Sequence, residues 1–217
     1  MRPVPEPLDP RRYPWGGPPT APMVVAGDSD PAAAWPPTER LEHLTPVVAV
    51  GSNAVEHVLR RKLDGLLDPG VPLSPATAEN LGVGHSAHVS AGGYVAAAPF
   101  ADGGATASVS LGWFDDRQLA ALDASEPNYV RRARRVRCVL PDRTVVRAHV
   151  YDSRHGVLGR AGRPRHFGPQ REVLAWLRRH LPGELGNVER LRAPRARDRL
   201  RRAVAAGGLA LPSGLST

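Results

Sequence analysis

A mixed α/β domain is what this sequence predicts, and three stretches carry that expectation. Residues 46–50 form a short apolar run that reads as a buried strand, and Gly51-Ser52-Asn53 leads from it into a pattern of helical period. Residues 129–151 alternate apolar and charged side chains about a polar turn, as a β-hairpin does. Residues 170–181 are amphipathic with Val173, Leu174 and Leu177 on one face. At 217 residues and 41% hydrophobic content, the chain is long enough for one domain with a sizeable core and flanking segments.

Taken in order, residues 1–45 are the least regular. Prolines recur every few residues and no period survives for a whole element, so this segment is expected to be a proline-rich extended or disordered arm. Trp15 and Trp35 are its exceptions, expected either to dock on the domain or on a partner or to be solvated without consequence. The domain itself is expected over 46–182. After the turn at Gly51–Asn53, Val55, Val58, Leu59, Lys62, Leu63 and Leu66 share one helix face, with Glu56, Arg60 and Arg61 opposite. Between residues 73 and 114 glycines interrupt apolar sequence, which predicts short strands around 82–89, 94–98 and 105–114.

Asp115 followed by Gln118 has the spacing of a capping box, opening a helix that must stop at Glu126 because Pro127 disfavours helical geometry before it. The hairpin follows over 129–140 and 145–151, turning at Pro141-Asp142-Arg143-Thr144, with Val136, Cys138 and Leu140 on one face. Residues 183–217 form an arginine-rich tail, expected as helix or flexible chain.

Composition narrows the function classes. The formal charge is +8, but Lys62 is the sole lysine, so the excess is arginine, as G+C-rich codon usage would produce. A basic nucleic-acid-associated protein remains an alternative through Arg131, Arg132, Arg134, Arg135 and Arg137, although that strand lacks the interleaved aromatics that stack on bases. Cys138 is the single cysteine, which excludes an intramolecular disulfide and a thiolate metal cluster. With no apolar run of about 18 residues and no signal-like h-region, the expected location is the cytoplasm, not a membrane.

Two places are candidates for chemistry. The turn Val50-Gly51-Ser52-Asn53 would expose backbone N–H groups at a helix N-terminus, suited to an anion or a polarised carbonyl, or would merely cap the helix. In Leu122-Asp123-Ala124-Ser125-Glu126-Pro127-Asn128-Tyr129, Glu126 closes a helix beside apolar Leu122 and Val130. Partial desolvation there would raise its pKa and suit it to general acid/base work; the alternative is a solvated carboxylate paired with Arg131 or Arg132. Of the histidines, His85 and His88 are three apart in a probable strand and so face opposite ways, which argues against a metal site. Ser52 lies in no nucleophile elbow.

Together, Gly51-Ser52-Asn53 after the first strand and Leu122-Asp123-Ala124-Ser125-Glu126 followed by Tyr129 resemble the γ-glutamylcyclotransferase-like family over about residues 47–151. That resemblance implies a partly closed β-barrel with flanking helices and a pocket between the two motifs. It implies a small-molecule γ-glutamyl amide as substrate, closed by its own α-amine to 5-oxoproline with release of an amine, and neither metal nor cofactor. Glu126 would be the catalytic acid/base; Val50, Gly51, Ser52, Asn53 and Tyr129 would bind substrate. The family's signature opens with an aromatic where this chain has Val50, and often has glycine where it has Pro127. These departures leave open an altered substrate or a catalytically inactive binding module on the same fold.

Overall fold

The computed structural model describes residues 8–27, 34–181, 183 and 191–215, without the side chains of residues 133 and 134. Strand β1 (Met23–Val25) and helix α1 (Thr38–Glu42) precede β2 (Thr45–Ala49), a 3-10 turn (Gly51–Ala54) and α2 (Glu56–Lys62). Then come β3 (Val71–Val89), β4 (Val95–Phe114), α3 (Asp116–Ser125), β5 (Tyr129–Val139) and β6 (Val145–Ser153). The chain ends with β7 (Val157–Arg160), β8 (Arg163–Pro164), α4 (Gln170–His180), α5 (Pro194–Ala206) and β9 (Ala210–Leu211).

Five strands close into a barrel. β2 pairs antiparallel with β4 and parallel with β6, β6 with β5, β5 with β3, and β3 returns to β4, all three antiparallel. The class is the mixed α+β one that the sequence predicts, with the barrel fully closed. Alternation divides the strand residues between two sides. Val48, Ala78, Leu111, Cys138 and Val150, one from each of the five strands, fall in one cluster, which is therefore the barrel interior. Val47, the neighbour of Val48, turns outward to Leu59 and Leu63 beside α2 and to Leu119 and Leu122 of α3. Cys138 is fully buried in that interior, and burial pushes its thiol up to about 12.

The expectation of several short strands over 73–114 is corrected. β3 and β4 are two long strands that pair along most of their length. The glycines do not end them; they admit close neighbours, and a Cβ at Gly82 would lie 2.3 Å from the Phe100 ring. Register shifts, one at Asn80 with φ 53, bend the ribbon so that it serves the barrel at one end and α4 and α5 at the other.

The capping box of Asp115 and Gln118 is present, and the Gln118 amide also donates to the carbonyls of Leu66 and Pro69, tying the start of α3 to the loop after α2. The arm and tail are packed where they are described. Val25 of β1 is buried beside β3, Trp35 meets Trp113 edge-on at 5.6 Å, and Leu191, Leu200, Val204, Leu209 and Leu215 are all buried. Of the two tryptophans that could dock, Trp15 meets Tyr94 and Trp35 meets Trp113; the other anchors, Tyr13 and Val25, have long-range partners and follow no local period. The rest of the expected arm and tail (1–7, 28–33, 182, 184–190 and 216–217) lies outside the described residues.

Two buried histidines on β3 make stability depend on pH. Burial lowers His85 to about 4 and His88 to about 3, His155 and Arg197 adding to the effect at His88. In the unfolded chain both take up protons near 6.5, which the folded protein does not do until the lower values. Stability is therefore full above 6.5 and falls as pH drops below it, by about 1.4 kcal/mol per histidine per pH unit inside the window. Melting curves between about pH 7 and pH 5 test this: a constant Tm contradicts it, and His88→Gln should flatten the slope.

Candidate active site

Glu126 stands at the C-terminal end of α3, where helix carbonyls and restricted solvent are both unfavourable to a carboxylate. Its side chain is only 15% exposed, so it needs partners, and it has two. The Asn53 side-chain amide donates to Oε1 at 2.9 Å, and the Lys62 ammonium reaches the same oxygen at 2.5 Å. Lys62 also donates to Asn53 Oδ1 at 2.6 Å, closing a triangle of three side chains from three elements. Among the described residues, Oε2 has no hydrogen-bond partner.

The two arginines that might have neutralised Glu126 are engaged elsewhere. Arg131 forks onto Asp123 and Arg132 pairs with the buried Asp152. Burial would raise Asp123, but the hydrogen bonds from Arg131 and Tyr151 outweigh it and hold that carboxyl below its ordinary value. Asp123 thus clamps the last turn of α3 to β5 and β6 and sets where Glu126 emerges. Pro127 fits its place: the Tyr129 N–H donates to the Glu126 carbonyl at 3.0 Å, so Pro127 is the second residue of a tight turn that favours its fixed φ. Arg137 pairs with Glu79, so much of the strand charge behind a nucleic-acid reading is already satisfied within the fold.

In front of the triangle lies a cavity of about 200 Å³, lined among others by Val50, Ser52, Asn53, Lys62, Glu126 and Tyr129. All the residues anticipated from sequence except Gly51 thus line one hollow, and Gly51 forms the adjoining backbone. The expected geometry of the turn needs correction. Residues 51–54 form a 3-10 turn, Val55 is extended, and α2 begins only at Glu56, so Gly51-Ser52-Asn53 is not the N-terminus of an α-helix. Asn53 acts on Glu126 through its side chain.

The aromatic wall missing at Val50 comes from the arm. Tyr13 is buried and stacks on Tyr94 at 4.4 Å with 14° between rings, while Trp15 meets both edge-on. The Tyr13 hydroxyl accepts from the Ala97 N–H at 2.9 Å. It comes so close to the turn that a Cβ at Gly51 would lie 2.1 Å from it; with φ +64 that position suits glycine alone. Tyr129 donates to the Ala97 carbonyl at 2.8 Å, so the two phenols hold the N–H and the carbonyl of one β4 residue, and burial raises the pKa of each. Sequence reading did not assign Tyr13, Tyr94, Tyr151, His88 or Lys62 to the site. Only Lys62 had a usable signal, being the sole lysine on the inward face of a helix.

This chain is similar to a γ-glutamyl cyclotransferase. The two are 12% identical over 73% of this chain and 99% of the other, with a TM-score of 0.44. Two Arabidopsis thaliana proteins with solution structures also match, each with a TM-score of 0.43. One is 20% identical over 64% of this chain and 83% of its own; the other is 17% identical over 67% and 80%. No family model and no curated protein matches the chain. Among the described residues, no helix is long and apolar enough to cross a membrane, and no group of three or more His, Cys, Asp or Glu is arranged to hold a metal ion.

Proposed function

We propose that this protein cyclises a γ-glutamyl amide to 5-oxoproline, releasing the amine. One observation carries the reading: Asn53 and Glu126, from motifs 73 residues apart, meet at 2.9 Å beside a cavity. Glu126 Oε2 takes a proton from the substrate α-ammonium, and the freed amine attacks the γ-carbonyl carbon. A ring C–N bond forms as the amide C–N bond breaks; the attacking nitrogen gives up a second proton after the attack, and both protons end on the leaving amine, which departs as an ammonium, so atoms and charge balance without water. Ring closure is intramolecular, and holding the glutamyl chain folded can supply much of the acceleration. Ser52 and the peptide beyond it hold substrate oxygens, and the rings of Tyr94 and Tyr129 wall the chamber.

The test is a panel of γ-glutamyl amines and γ-glutamyl amino acids, with 5-oxoproline followed by mass. At least one member should yield it in proportion to enzyme. A ligand that binds and is returned intact, across the whole panel, would instead identify a catalytically silent module.

A further inference from the structure

Basic positions in this chain are filled almost entirely by arginine: of 29 Lys and Arg residues, Lys62 alone is lysine. That one lysine is also the basic residue in contact with Glu126, and its side chain is 19% exposed. A cation at the end of a short helix has an ordinary explanation, since it complements the helix carbonyls. Arg60 and Arg61 occupy the same last turn and meet that need without lysine. Arg60 lies on the outer face, paired with Glu56 and the Ala26 carbonyl. Lys62 turns inward instead, to an oxygen of Glu126 and an oxygen of Asn53.

We propose that Lys62 is the positioning residue of this site: its ammonium locks Glu126 Oε1, directly and through Asn53, so that Oε2 is the oxygen presented to the cavity. An ammonium is a compact point charge whose donors can converge on two oxygens of different groups. A guanidinium is planar and larger, and its donors form a rigid fork. In a cavity of about 200 Å³ an arginine here would push Glu126 aside or enter the space a ligand needs. Lysine, not arginine, therefore fits the work of this one position.

The kinetic half of the test rests on the cyclisation reading; the other half does not. In K62R, kcat for the best panel substrate is expected to fall about 100-fold, the cost of a small misplacement of a reacting group. KM should change by less than about threefold, because the interaction is with Glu126 and not with substrate. K62R activity above about one-tenth of wild type would overturn the inference.

Independently of activity, isotope-labelled lysine gives a single side-chain ammonium signal in NMR, since the chain has one lysine. A hydrogen-bonded, shielded ammonium should be visible near neutral pH and should broaden away in both N53A and E126A, each of which removes one of its two acceptors. A signal indifferent to both substitutions overturns the inference even if no panel substrate turns over. Its loss in both supports the lock even where the cyclisation reading fails.

Discussion

Glu126→Gln is expected to lower turnover of a γ-glutamyl amide by about 1,000-fold, the middle of the range for a positioned acid/base group. Glutamine has nearly the same shape and leaves an oxygen to accept from Asn53 and Lys62, so the triangle can persist. What it cannot do is take a proton from an ammonium. Lys62 loses its charged partner, and because both side chains retain some solvent contact, the cost should be near 1 kcal/mol, or about 2–4 °C in Tm for a chain of this size. Folding and chemistry are thereby separated. Turnover that survives in a folded E126Q protein removes Glu126 from the mechanism.

Tyr13→Ala should have the largest effect on structure. The change deletes a buried ring stacked on Tyr94 and strands the N–H group of Ala97, which its hydroxyl satisfies. Loss of a buried aromatic costs about 3–5 kcal/mol, and an unsatisfied buried donor adds to it. Tyr13 is the buried anchor of a short segment that pairs with no barrel strand, so the loss should appear as local opening more than global melting. Hydrogen exchange should accelerate along the arm and at Ala97, while the barrel strands keep their protection. Turnover should fall with it, because the chamber loses one wall. Unchanged exchange and unchanged activity would show that the arm is an ornament of the pocket and not part of it.

What could be read from sequence was whatever is encoded locally. The capping box of α3, its stop at Glu126, the hairpin of β5 and β6 and the inward face of α4 all rest on spacings within a few residues, and each is found where expected. Glycines within β3 and β4 read as breaks, but Gly82 admits the Phe100 ring and Gly84 the Arg165 carbonyl, which no local pattern reveals. The arm is legible only in part for the same reason in reverse. Its prolines describe the chain between anchors, while the anchors, Tyr13 and Val25, are defined by partners many residues away. At the site, the residue types were visible in the motifs, but the placement of Lys62 against Glu126 depends on two helix ends converging, and only the folded chain supplies that.

The deeply buried Cys138 has a practical corollary. Thiol reagents act on the exposed, ionised form, and this sulfur is neither exposed nor readily ionised. The native protein should thus be silent towards maleimides. A cysteine introduced at Ala91, exposed on the rim of the chamber, would be the sole labelling position. A fluorophore there could report the arrival of a small molecule in real time, without a coupled assay and without first removing the native cysteine.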